Sequence, residues 1–347
     1  MADSMDLRAG DWVEVRTKQE ILATLDKQGR LQTLPFMPEM FQYCGQRFQV
    51  FKRAHKTCDP PSGLQARRMP SAVHLTGIRC DGHGHGGCQA GCLIFWKEAW
   101  LKKVGSGNPV TEPEPDSHRA THGSADSVQC TEQDVFNGVY KTGSAADAPL
   151  YACQSTELYS ATTPLPWWHL HQYVEDIRSR NVRASQVVSA FVFFVYHEIA
   201  EAGIGLGSVM LAAYDAVQKL RGRSPYPWRK GKIPKGGRTP SAKLDLRVGE
   251  PVKVRSYADI LETLDEDWKN RGMYFDGELV PFCDGSFEVL SRVEKIIDEK
   301  TGRMTRLKND AIILKDVACE ARYAKCRHFC SRSIYPYWRE IWLERAK

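Results

Sequence analysis

No stretch of this 347-residue chain stays apolar for the eighteen or so residues of a membrane-spanning helix, and two uncharged runs in its middle, Ala184–Tyr196 and Ala202–Tyr214, fall short. Met1 to Trp12 has no basic segment followed by an apolar one, so nothing there reads as a secretory signal. Neither charge sign dominates: 48 Lys and Arg face 42 Asp and Glu, for a net +6. That weak excess does not favour a general polyanion binder. With 42% hydrophobic and 26% charged residues the chain is neither collagen-like nor disordered, and it is long enough for two or three domains with their own cores. A disulfide miniprotein is excluded. The default compartment is the cytoplasm, where thiols stay reduced. The 11 cysteines, an odd number, therefore point to metal binding, buried thiols or redox chemistry before a disulfide framework.

Sliding the sequence against itself at an offset of 239 aligns the two ends. Leu7-Arg8-Ala9-Gly10 matches Leu246-Arg247-Val248-Gly249, and Thr24-Leu25-Asp26 matches Thr263-Leu264-Asp265. The register holds through Phe36 and Phe275, Glu39 and Glu278, and Cys44 and Cys283, to Cys80 and Cys319. After small slips, Trp96-Lys97-Glu98-Ala99-Trp100-Leu101 matches Trp338-Arg339-Glu340-Ile341-Trp342-Leu343. One module is thus used twice, in residues 1–104 and 244–347. Alternation in Asp11–Arg16, Arg47–Val50 and Ser286–Val289 predicts strands, and the apolar spacing in Lys18–Asp26 and Tyr257–Asp265 predicts short helices. The expected class is α+β, with two small SH3-like β-barrels flanking a helical insert.

Both modules carry nearly the same cysteine spacing: Cys44-x35-Cys80-x7-Cys88-x3-Cys92 and Cys283-x35-Cys319-x6-Cys326-x3-Cys330. If Phe48–Lys56 pairs with Ala72–Cys80 in a hairpin, Cys44 lies beside Cys80, and Cys283 beside Cys319 by the same logic. Four thiolates so gathered suit a structural four-cysteine zinc site, giving two zinc ions per chain. An iron-sulfur cluster is the rival, and buried small hydrophobes are the plain alternative. The loop Asp81-Gly82-His83-Gly84-His85-Gly86-Gly87 lets the backbone wrap closely around an ion. Its two histidines have no counterparts in the second module and read as solvated. Cys58, Cys130 and Cys153 have no repeat partner; with His55 they are candidates for a third site, and three unrelated thiols are the alternative.

Between the modules, residues 105–129 read as a flexible linker and 130–218 as a mainly helical insert, with a helix from His169 to Ser179 and a buried hairpin after it. Interfacial membrane contact through that hairpin is a further reading. His197-Glu198-Ile199-Ala200-Glu201 resembles the zinc protease pattern but has a glutamate where the second histidine belongs, and reads better as a polar patch at a helix break. Lys219–Lys243 holds nine Lys or Arg and no acid, and reads as an extended basic linker open to phosphates or single-stranded bases.

Leu34-Pro35-Phe36-Met37-Pro38-Glu39-Met40, Ile296–Gly302 and Tyr335–Leu343 resemble stretches of a bacterial family of uncharacterised Cys-rich tandem-repeat proteins. The resemblance covers both modules and part of the insert, and implies a family without an activity. Three functions follow from the residues. The first is a cytosolic scaffold or binding protein with metal-stapled barrels and a protein partner. The second is an iron-sulfur redox protein or metalloenzyme using Cys58, Cys130 and Cys153. The third is nucleic-acid binding through the basic linker. No acid, base and nucleophile group stands out, so catalysis stays open.

Overall fold

The computed structural model describes all residues except 1–4, 64, 106–128, 146, 204, 206, 324–326 and 347. In the first module the strands are β1 (Trp12–Val15), β2 (Arg47–Arg53), β3 (Lys56–Asp59), β4 (Gln65–Arg68), β5 (Ala72–Leu75), β6 (Trp96–Lys97) and β7 (Leu101–Val104). Five of them form an antiparallel sheet in the order β6-β5-β2-β1-β7, while β3 and β4 pair in a separate hairpin. Alternation does what it predicts, since Val13 and Val15 are buried and Trp12 faces out. Thr17 caps α1 (Lys18–Leu22) through a reciprocal bond with Glu20, and the helix ends four residues before the expected Asp26.

The second module repeats this pairing. Its strands are β8 (Pro251–Val254), β9 (Ser286–Arg292), β10 (Ile312–Leu314) and β11 (Leu343–Arg345), in the order β10-β9-β8-β11. Val13 faces Phe48 and Val252 faces Phe287; the bulge between Val50 and Lys52 recurs between Val289 and Ser291. The cores match as well: Phe36 meets Trp100 edge-on at 5.1 Å, and Phe275 meets Trp342 at 5.1 Å. Each indole donates to a threonine hydroxyl, Trp100 to Thr24 and Trp342 to Thr263. The class is α+β, but the sheets do not close into the expected barrels. The strand at one edge, β6, is two residues long, and only the isolated Ile312–Trp338 bridge stands in its place in the second module. That is too little hydrogen bonding to join the sheet ends.

The insert contributes α2 (Glu132–Asn137), α3 (His171–Arg178), α4 (Ala184–Glu201) and α5 (Gly207–Leu220), followed in the second module by α6 (Tyr257–Leu261). The expected break at His197 is absent: α4 continues through it to Glu201, and His197 bonds the Tyr226 hydroxyl. Among the described residues no helix is long and apolar enough to cross a membrane. Val188, Val192, Val195 and Ile199 nevertheless form an exposed apolar stripe along α4. The segment expected as a free basic tether is docked instead. Tyr226 is buried, Arg229 pairs with Asp215, Trp228 packs on Trp268, and Ile233 bridges to Asp265. Its aromatic rings and backbone fit the C-terminal module too well to leave it in solvent.

Fully buried His74 on β5 lies 2.9 Å from the Ile94 carbonyl through Nδ1. Burial pushes its pKa down from 6.5 to about 3, so the folded chain binds fewer protons than the unfolded one between those values. This contribution to stability is intact above pH 6.5 and is lost as the pH falls toward about 3, with a slope of up to about 1.4 kcal/mol per pH unit. Urea titrations across that window should show the slope in the parent and a shallower one in His74→Asn.

Candidate metal centre

Cys80 follows the turn after β5, where its N–H donates to the Cys92 carbonyl at 2.8 Å and joins the two ends of the Gly-rich loop. Inside the loop, His85 and Gly87 both donate to the Gly82 carbonyl, at 3.1 and 2.8 Å, which winds the chain tightly enough to turn His85 inward. His85 is buried and His83 is exposed, so the expectation of solvated histidines holds for one and fails for the other. Across from the loop, the short 3₁₀ helix Pro38–Tyr43 delivers the buried Glu39.

These three side chains converge. The Cys80 sulfur lies 3.3 Å from Glu39 Oε1 and 3.5 Å from His85 Nε2, and His85 Nδ1 is 3.5 Å from Glu39 Oε1. One ligand atom from each falls within a 4.8 Å span, the only such group of three or more acidic, His or Cys residues among the described residues. A tetrahedral zinc ion with ordinary Zn–S, Zn–N and Zn–O bonds sets its ligands about 3.4–3.6 Å apart. Glu39 Oε2 and His85 Nδ1 are buried without a hydrogen-bond partner. Burial disfavours the charged form of each group, raising the Glu39 carboxyl and the Cys80 thiol and lowering His85 to about 4. A divalent cation would reverse this for the two acids, stabilising carboxylate and thiolate beside a neutral imidazole.

The three residues open onto a cavity of about 40 Å³ whose wall also includes Cys88, Cys92 and Cys153. Cys153 comes from the insert, where burial lifts its thiol to about 12; Ser155 donates to the Cys92 sulfur at 3.4 Å, and the Ile297 N–H donates to the Cys88 sulfur at 3.3 Å. Three of the four cysteines expected in the first set thus meet at one cavity. Cys44 does not join them: it ends the Pro38–Tyr43 turn with Lys18 and Glu132 as its charged neighbours, and packs on the core. The hairpin argument fails because β2 pairs with β5 only from Val50 onward, while Arg47–Gln49 and the turn before them bond to β1.

In the second set, Cys283 packs on its own core in the position equivalent to Cys44, and Cys326 lies outside the described residues. Cys319 and Cys330 pack together with Cys58 of the first module. The proposed third site is dispersed. Cys58 meets Cys330, Cys153 faces the first cavity, Cys130 packs in the N-terminal core, and His55 lies 3.0 Å from Asp176, which also pairs with Lys56. His197 and Glu201 share no three-ligand group. Sequence reasoning missed Glu39 as a candidate ligand, although its recurrence as Glu278 was a signal. Glu278 accepts N–H bonds from Arg322 and Tyr323, at 2.8 and 2.6 Å, so the carboxylate there tethers the loop backbone.

A second, larger cavity of about 770 Å³ lies between α4, the docked basic segment and the C-terminal module. Trp228, Trp268 and Tyr274 line it beside Arg229, Lys230 and Lys232. In comparisons with family models, curated proteins and solved structures, the chain matches none.

The loop depends on Gly82, whose φ is +73° and where a Cβ would sit 2.1 Å from the Cys88 carbonyl oxygen. At Gly84 a Cβ would sit 2.5 Å from Glu39 Oε2. Gly82→Ala should therefore lower stability by about 1–3 kcal/mol through backbone strain. Gly84→Ala should disturb the Glu39 carboxylate with less global cost. Denaturant melts of the two variants check the order.

Proposed function

We propose that this protein is a metal-binding scaffold whose first centre is a zinc ion held by Glu39, Cys80 and His85. The observation that carries the reading is the convergence of Glu39, Cys80 and His85, with one ligand atom of each inside a 4.8 Å span and with Glu39 Oε2 and His85 Nδ1 unpartnered. Cys88, Cys92 and Cys153 supply further thiols on the same wall. The role is structural, because ligands from the Gly-rich loop and the Pro38–Tyr43 turn are stapled together where the insert meets the first module. The ten described cysteines are all free, which suits a reducing compartment such as the cytoplasm. The matched registers and core contacts of the two halves support a duplicated module and the bacterial tandem-repeat family that the sequence resembles. The apolar stripe on α4 supports a protein partner or contact with a membrane surface.

An iron-sulfur cluster is the competing occupant, supported by the four cysteines lining the cavity. Metal analysis after anaerobic purification decides between them. Zinc should be present without visible absorption, Cys80→Ser and His85→Ala should each lose it, and Cys44→Ser should keep it. Chelation should lower the melting temperature of the parent and leave that of Cys80→Ser unchanged. Iron with broad visible absorption would replace zinc by a cluster, and unchanged metal in both variants would refute the centre.

A second reading takes the larger cavity as a contact for single-stranded nucleic acid, supported by Trp228, Trp268 and Tyr274 next to Lys230 and Lys232. Neutralising Lys230 and Lys232 together should reduce the salt slope of oligonucleotide binding by about 1–2. An unchanged slope removes this contact.

A further inference from the structure

We propose that the larger cavity binds one free nucleoside phosphate per chain, its base stacked on the aromatic wall of Trp228, Trp268 and Tyr274 and its phosphate held by Lys230 and Lys232. This rests on the same residues as the single-strand reading of the cavity and narrows the occupant to a single nucleotide. The volume of about 770 Å³ is that of a pocket for one small ligand. Trp228 meets Trp268 at 6.3 Å and 85°, and Trp268 meets Tyr274 at 6.4 Å and 75°. Rings set edge to face turn their π-faces in different directions, and a planar base stacks on whichever face the cavity opens to.

The cations on the lining divide into engaged and available. Arg229 pairs with Asp215, and Arg327 pairs with Asp276. Lys230 and Lys232 are exposed and, among the described residues, form no ion pair. Their backbone is nevertheless fixed. Gly231 between them is buried, and a Cβ there would sit 2.3 Å from the Leu264 and Asp265 carbonyl oxygens. The Lys232 N–H donates to the Leu261 carbonyl at 3.0 Å. Two ammonium groups carried on a fixed backbone beside aromatic rings suit one phosphate group. A strand is held differently, by a basic groove that follows successive phosphates.

Acids on the same lining set the orientation. Glu198 and Glu201 come from α4, three residues apart and so on one side of the helix. Carboxylates accept hydrogen bonds from the amino groups of adenine, cytosine or guanine and repel phosphate. A nucleotide inside a strand carries phosphate on both sides of its sugar, whereas a nucleoside phosphate carries its charge at one end and its base amine at the other. The lining supplies an acceptor side from α4, an aromatic wall and a cationic side from the docked segment, which is the order of chemistry along one nucleotide.

The test is calorimetry and tryptophan fluorescence on the full-length chain with adenosine monophosphate, adenosine, inorganic phosphate and a short single-stranded oligonucleotide. The monophosphate should bind once per chain and quench the tryptophans, and adenosine and inorganic phosphate should each bind about tenfold more weakly or worse. Lys230→Gln combined with Lys232→Gln should weaken the monophosphate by about tenfold and leave adenosine unchanged. Tyr274→Ala should weaken both, and Lys253→Gln, an exposed lysine outside the lining, should change neither. All of these positions are exposed, so the variants should fold. No binding of the monophosphate, or binding that the double lysine variant leaves unchanged, overturns the proposal. A chain that binds the oligonucleotide but not the monophosphate keeps the single-strand contact and loses this inference. Binding of the monophosphate without the oligonucleotide does the reverse.

Discussion

The whole arrangement depends on one buried guanidinium. Arg332 is almost fully withdrawn from water, a cost of several kcal/mol that only close partners offset. Its partners come from three parts of the chain: the Glu299 carboxylate, the Ser155 hydroxyl at 2.9 Å and the Cys58 carbonyl at 3.2 Å. Ser155 in turn donates to the Cys92 sulfur. The second module thus reaches through Arg332 into both the insert and the first module, and the guanidinium stands between the two groups of cysteines.

Around it the modules are locked by hydrogen bonds and a cation–π contact. The Ser331 N–H donates to the Lys56 carbonyl at 3.1 Å, Gln89 accepts from Glu294 and Lys295 at 2.7 and 3.0 Å, and Arg79 stacks on Tyr335 at 3.7 Å. Each module uses its own cysteine loop to grip the other. The loops are consequently where two similar sheets diverge: one carries Gly82–Gly87 and His85, and the other ties its backbone to Glu278. A duplicated sheet supplies a rigid base, and differences in a few loop residues give the two copies different chemistry.

The ionisation states agree with a metal-linked design. Burial disfavours the charged forms of Glu39, Cys80 and His85, a cost that a bound cation would offset for the two acids. The wall also carries the apolar Met37, Leu93 and Ile94 beside the polar Gln154, Ser155 and Glu299. Elsewhere, Lys56 pairs with Asp176 Oδ2 and sits over the Tyr173 ring, which fastens α3 to the first module.

The amino-acid sequence by itself determined the paired modules, the polar and apolar faces of β1 and β8, the short helices after Thr17 and Ser256, and the tryptophan pairs that fill the cores. Those are local or periodic properties, and a repeat displays them twice. It also marked cysteine as the unusual feature. Which cysteines meet was decided by the tertiary structure, because spacing along the chain carries no information about what another segment brings. Cys44 kept its repeat partner and turned to the core; Cys58 and Cys153 had none and reached the cysteine loops across a module junction and from the insert. Glu39 joined Cys80 because the turn at Pro38 faces the loop at Gly84, a proximity that depends on the sheet between them.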